Sequence, residues 1–248
     1  MTRQLPCVAF SLLFAACSTR MGDLGPPERP GLGTAWGETR ASSIYHVSFE
    51  REDPGRPVAV ATFYYDDGDG VRALAGGPAP WDGTDGGILA GGALRVHLVD
   101  ARGAPLPMFS RGGRQYVEGR HGDRYAIEIQ NWSPVRVEAV ATVDGLDVSS
   151  GRPGSFDRRG YVLDPWQTFR IEGFRRSMHE VAAFRFGAVS DSYAAETGDG
   201  SNVGIIGVAL FAERGAVSPW LDHEAARRRG ADSFPGRFAR PPPRDRAW

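Results

Sequence analysis

Val135-Arg136-Val137-Glu138-Ala139-Val140-Ala141-Thr142-Val143-Asp144-Gly145-Leu146 is the stretch on which the fold turns. Val135, Val137, Ala139, Ala141 and Val143 alternate with Arg136 and Glu138, the period of two that buries one face of a strand and wets the other. Asp144-Gly145 then separates Val143 from Leu146. The pair suits a two-residue primed hairpin turn, because both central residues of that turn take positive φ. A strand that turns back on itself is expected here, with Val143 facing Leu146 and with Arg136 and Glu138 outward.

The same period recurs on both sides. Tyr125, Ile127 and Ile129 alternate with Ala126, Glu128 and Gln130, and Asn131-Trp132-Ser133-Pro134 reads as the turn that follows. Upstream, Leu94, Val96 and Leu98 alternate with Arg95 and His97, which predicts a strand with a solvated outer face. Ile44–Glu50, Pro57–Tyr65, Gln115–Val117, Gly160–Leu163, Trp166–Glu172 and Val181–Phe186 read as further strands. Val203–Phe211 is apolar on both faces, which suits a mid-sheet position. Roughly ten short strands at this spacing make the chain all-β, an antiparallel β-sandwich, with jelly-roll and immunoglobulin-like topologies both open. Glycine (33) and proline (18) supply the turns, and 41% hydrophobic residues are ample for a core in 248 residues.

The ends read differently. Ser218 as N-cap, Pro219 in the first helical position, Asp222 and Glu224 near the start, Arg227–Arg229 near the end and Gly230 as a stop predict one short C-terminal helix within 214–230. Residues 231–248 lack a burial pattern and read as a disordered tail. At the other end, Arg3 precedes an apolar run from Leu5 to Ala16, too short to span a bilayer and the right length for the core of a signal peptide. The run ends Leu13-Phe14-Ala15-Ala16-Cys17, which resembles the bacterial lipobox, Phe14 standing where Leu is usual. That resemblance implies cleavage between Ala16 and Cys17, with Cys17 carrying the lipid. The alternative is an ordinary secretory peptide with Cys17 a bystander, and export follows from either. Cys7 falls inside the removed segment 1–16, so Cys17 would have no disulfide partner. More than one acyl chain gives stable anchoring, so the membrane is an expected partner through the lipid. Similarity to lipoprotein sorting in Gram-negative bacteria, with Ser18 after the cysteine, implies the outer membrane, at its periplasmic face or the cell surface. Residues 17–40, rich in Gly, Pro and charge, read as a flexible tether to a sandwich domain over 41–213.

The words Val143-Asp144-Gly145-Leu146-Asp147-Val148, Gly160-Tyr161-Val162, Ile171-Glu172-Gly173-Phe174-Arg175, Ala183-Phe184-Arg185-Phe186, Ser192-Tyr193-Ala194 and Val203-Gly204-Ile205-Ile206-Gly207 form a series over about half the chain. As a set they resemble a group of uncharacterised bacterial envelope lipoproteins. The resemblance implies a β-rich domain and brings no catalytic residue with it.

Composition excludes several functions. A formal charge of -1 offers no whole-molecule field for nucleic acid. All 29 basic side chains are Arg, so a Walker-type phosphate loop has no lysine. The five histidines fall at no metal-ligand spacing, and His46 and His97 read as surface residues on polar strand faces. No Gly-x-Ser-x-Gly elbow occurs at Ser201.

Three candidate chemistries remain. Asp66, Asp67 and Asp69 begin like a calcium loop, with Asp82 and Asp85 nearby, although the twelfth-position glutamate of an EF-hand is missing; the competing reading is a solvated Asp/Gly turn within a long loop from Asp66 to Gly92. Trp81, Trp132 and Trp166 lie in or beside loops. Trp132 and Trp166 are the candidates for stacking on a sugar, against a role in closing the sandwich end. Asp164 and Glu172 are the candidate acid and base of a glycan hydrolase, which needs two carboxyl groups facing each other across a cleft. The expected function is therefore a membrane-anchored binding or structural module for a protein or glycan partner, the alternatives being an envelope glycan hydrolase or a calcium-stabilised module.

Overall fold

A computed structural model describes residues 29–78, 87–197, 200–216 and 230. In chain order the elements are β1 (Leu32–Ala41), β2 (Ala59–Asp66), α1 (Gly68–Ala75), β3 (Gly87–Leu89), β4 (Leu94–Asp100), β5 (Met108–Arg111), β6 (Arg114–Glu118) and β7 (Arg124–Asn131). They continue with β8 (Val137–Val143), β9 (Leu146–Asp147), β10 (Tyr161–Leu163), β11 (Thr168–Ile171), β12 (Gly173–Arg175), β13 (Glu180–Ala188), α2 (Tyr193–Glu196) and β14 (Ile205–Ala212).

Two seven-stranded sheets form a β-sandwich. The first runs β1-β13-β7-β4-β3, the second β10-β8-β14-β2-β6-β5 with β9 beside β8. Pairing is antiparallel except between β2 and β6, whose parallel register makes the second sheet mixed. β11 pairs with β7 and β12 with β13, so these two short strands fill the gap where β7 and β13 diverge after sharing only two register pairs. The inner faces meet in one core: Val96, Leu98, Ile127, Ile129 and Phe184 from the first sheet, Phe63, Ala141, Val143, Val208 and Leu210 from the second. Burial of these apolar faces is the main force holding the sheets together.

The hairpin forms as its sequence dictates. Asp144 and Gly145 both have positive φ (53° and 82°), and Val143 pairs with Leu146. β14 lies between β8 and β2 in mid-sheet, as its two apolar faces require.

Other expectations are corrected. Residues 32–40, placed in the tether, form all but the last residue of edge strand β1, because Leu32, Gly33 and Thr34 are buried against β13. Ile44–Glu50 is no strand: its alternation is spent on an irregular crossing segment in which Tyr45, Val47 and His46 are exposed. Within the expected Asp66–Gly92 loop, α1 forms, because Asp67 caps its first turn, Gly76 ends it in the left-handed conformation, and Val71 seats against Phe109 and Tyr116. His97, read as a surface histidine, is only 5% exposed and its Nε2 lies 3.1 Å from Glu128. Glu138, read as outward, is buried. The leader, Cys17, Asp82, Asp85, Trp81, nearly all of the C-terminal helix and the tail lie outside the described residues. Among the described residues no helix is long and apolar enough to cross a membrane.

Candidate functional site

The segment 42–58 crosses from the first sheet to the second. One end is fixed by Ser42 and Ile44, whose N–H groups donate to the carbonyls of His179 and Met178; the other is fixed by Glu52 N–H donating to Ala212 and by Arg214 N–H donating to Glu50. Between these ties residues 43–51 of the strap form one wall of a cleft of about 900 Å³, within the range of small-molecule sites. The floor comes from Glu138 on β8, Tyr161 on β10, Phe169 on β11 and Arg175 on β12.

Arg51 holds the strap to that floor. Its Nε donates to Glu138 Oε2 at 2.6 Å, its other nitrogens reach the carbonyls of Phe156 and Arg158, and its guanidinium lies 3.8 Å from the centre of the Phe211 ring. Glu138 Oε1 accepts in turn from Gly160 N–H at 2.6 Å. This explains the buried glutamate: it is paired, and both oxygens have donors. Arg136 pairs with Glu213, and Arg214 with Glu50. The remaining cleft arginines differ. Arg175 is held by neutral groups, the Ser42 carbonyl and hydroxyl and the Tyr161 hydroxyl, with its guanidinium 5.7 Å from the Tyr161 ring centre. Arg158 donates to the Pro153 carbonyl, and exposed Arg159 makes no ion pair among the described residues.

The aromatic candidates meet at one end of the sandwich. Asn131 N–H donates to the Gln167 carbonyl, and Asn131 Nδ2 donates to the carbonyls of Val135 and Asp164, tying the loop of Trp132 to the loop of Trp166. Trp132, 42% exposed, lies under the Arg95 guanidinium at 4.8 Å and is not part of the cleft lining. Trp166 is 64% exposed and is itself outside the cleft lining, standing between Asp164 and Gln167, both of which belong to it. It occupies the third position of a Pro165-Trp166 turn closed by Gln167 N–H to Asp164 O at 3.2 Å, with φ of 63°. A turn of this kind favours glycine at that position, so a bulky ring there is strained.

The calcium candidates have other duties, at the opposite end of β7. Asp66 Oδ1 accepts from Leu32 N–H and Asp67 N–H, Asp67 caps α1, and Asp69 pairs with Arg72. Burial pushes the Asp66 carboxyl above its ordinary range despite those donors. Among the described residues no three His, Cys, Asp or Glu side chains gather as a metal site. Of the hydrolase candidates, Asp164 lines the cleft, whereas Glu172 lies outside the lining and faces Arg40 at 3.9 Å. The structure therefore does not set this pair across the cleft.

The sequence reading missed a buried polar chain beside the Asp66 end. Tyr65 Oη donates to Asp144 Oδ1 at 2.6 Å, so the Thr34 hydroxyl, 2.8 Å away, donates to Tyr65 and accepts from Tyr125 Oη at 2.7 Å. Thr34 N–H and Gly204 N–H also donate to Asp144. Burial raises the Asp144 carboxyl to about 6 even with these donors, and burial lifts both tyrosines above their usual range. This chain fastens β1 to both sheets, and none of its members lines the cleft beside the strap. Its only signal in the sequence was the Asp of the turn.

A comparison of the chain with protein families, curated proteins and solved structures returns no match. The site must speak through its own geometry.

Proposed function

We propose that the protein is an exported lipoprotein of the bacterial envelope, anchored through Cys17, which acts as a binding module for a protein or glycan partner held in the strap-walled cleft. The observation that carries this reading is the cleft itself: a wall tied at both ends beside a floor of strand residues, wide enough for a ligand and rich in fixed donors. The anchor rests on the leader and on the thiol at its end.

Two measurements test the two halves. Replacing Cys17 by Ser should abolish incorporation of labelled fatty acid and release the protein from membranes; a variant that still takes up label would overturn the anchor. Replacing Ser149, on the cleft lining, by Trp should obstruct the cleft and sharply reduce retention of the full chain on immobilised envelope polysaccharide or envelope protein. Equal retention of both forms would remove the cleft as the binding place.

A further inference from the structure

Resting on the cleft reading, the geometry points to an acidic oligosaccharide as the ligand, laid along β10 from Trp166 at one end to Arg158 and Arg159 at the other. Three observations converge on this. First, Trp166 is exposed and held in a left-handed conformation that costs energy, beside two residues of the cleft. A large ring kept at a position that prefers glycine is the mark of a residue retained for contact, and the flat, weakly polar face of a pyranose is what an exposed indole recognises.

Second, arginines outnumber carboxylates on the cleft lining, Arg51, Arg136, Arg158, Arg159, Arg175 and Arg214 against Glu50, Glu138, Asp157 and Asp164. Arg51, Arg136 and Arg214 are each matched by a glutamate, but Arg158, Arg159 and Arg175 are not. A guanidinium without a carboxylate partner is a ready donor for the carboxylate of a uronic acid or the phosphate of a phosphorylated sugar. Between the two ends the Asp164 carboxylate supplies an acceptor, while beyond Trp166 the Gln167 Oε1 already accepts from Asp164 N–H; a string of hydroxyl groups needs acceptors as well as donors. Third, the span fits. Arg159 and Asp164 bracket the three-residue strand, five residues apart, which is roughly 16 Å of extended chain, the reach of a short oligosaccharide rather than of one sugar or a lone anion. An extended peptide is the poorer fit, because an edge of three residues offers too short a ladder for strand addition.

Titration calorimetry of the full chain in detergent provides the test. The probes are tetramers of galacturonate, of glucuronate and of phosphorylated mannose, with a neutral mannose tetramer, inorganic phosphate, phosphatidylglycerol vesicles and an acidic hexapeptide as the other arms. At least one acidic tetramer should bind about tenfold or more tightly than the neutral one, and the preference should shrink as salt is raised. Trp166→Gly should weaken that binding about tenfold while leaving the melting temperature unchanged or raised, which a purely structural tryptophan would not do. The double variant Arg158→Glu, Arg159→Glu should weaken it by a similar factor or more, Arg159 being exposed and Arg158 half-buried, with no side-chain bond lost among the described residues but that to the Pro153 carbonyl. The inference fails if no acidic tetramer binds, if either variant binds as the parent does, or if phosphate, vesicles or the peptide bind as tightly as the best acidic tetramer. A neutral tetramer bound equally well and blocked by Ser149→Trp would leave the binding module standing and remove its acidic ligand.

Discussion

Asp144 shows how one residue serves two masters. Its place at the hairpin tip suits a primed turn, yet its carboxylate is drawn inward to close a chain of hydroxyls from Tyr125 through Thr34 and Tyr65. Burial is the largest influence on it and raises its carboxyl from 3.8 to about 6, so between these values the native protein holds a proton that the unfolded chain has released. Its contribution to stability is therefore full below about pH 4, declines as pH rises, and has gone above about pH 6, a change of roughly 3 kcal/mol. Glu38 runs the other way. Hydrogen bonds from Arg185 are the main cause that holds it at about 2, so its contribution is present above about pH 4.5 and is lost on acidification toward 2. The expected outcome is that Asp144→Asn, compared with the parent by urea unfolding from pH 4 to 7, removes the decline between 4 and 6 and leaves the limb below 4.5 intact. Parallel curves for the two proteins would show that Asp144 does not titrate in this window.

Among the elements, the strap is one whose sequence misled. Tyr45, Val47 and Phe49 alternate with His46, Ser48 and Glu50 as a half-buried strand would, but Tyr45 is 82% exposed, and among the described residues the strap makes only an isolated bridge, Arg51 to Glu213. The same letters serve an extended crossing held by carbonyls and by Arg51, since alternation reports an extended backbone and not the presence of a neighbour. Replacing Arg51 by Ala would leave Glu138 charged, buried and short of a partner. Loss of about 3–5 kcal/mol is expected, read from thermal unfolding, together with faster proteolysis between residues 45 and 50. Gly160 tests the floor. A Cβ there would lie 2.2 Å from the Ala139 carbonyl oxygen, so Gly160→Ala must push β10 off β8, with an expected cost of roughly 2 kcal/mol or more and loss of ligand from the cleft.

Across the molecule, the described residues form one inter-sheet core, with smaller apolar clusters outside it: Val71, Phe109 and Tyr116 under α1, and Val140, Ala209 and Phe211 on the outer face of the second sheet. Because both sheets close on the same side chains, neither can keep its inner face dry without the other. Urea unfolding followed by tryptophan fluorescence and by far-ultraviolet circular dichroism should therefore give coincident, single transitions; two separated midpoints would mean that the sheets unfold independently.

Much of this architecture is legible in the letters. Alternation at Val135–Val143, the Asp144-Gly145 turn and the doubly apolar run at Val203–Phe211 place β8, its hairpin and the mid-sheet strand correctly, because they depend on local φ preference and on which faces are apolar. Trp166 and Asp164 were visible as candidates, an aromatic beside a loop and a carboxylate, but the turn that joins them was not. Pairing between distant strands was not legible. That β1 grows out of an expected tether, that β2 and β6 run parallel, that His97 and Glu138 are buried with partners, and that a strap walls a cleft all depend on contacts between residues far apart in the chain. A polar side chain looks the same in sequence whether water or a buried arginine faces it, and only the folded chain supplies the arginine.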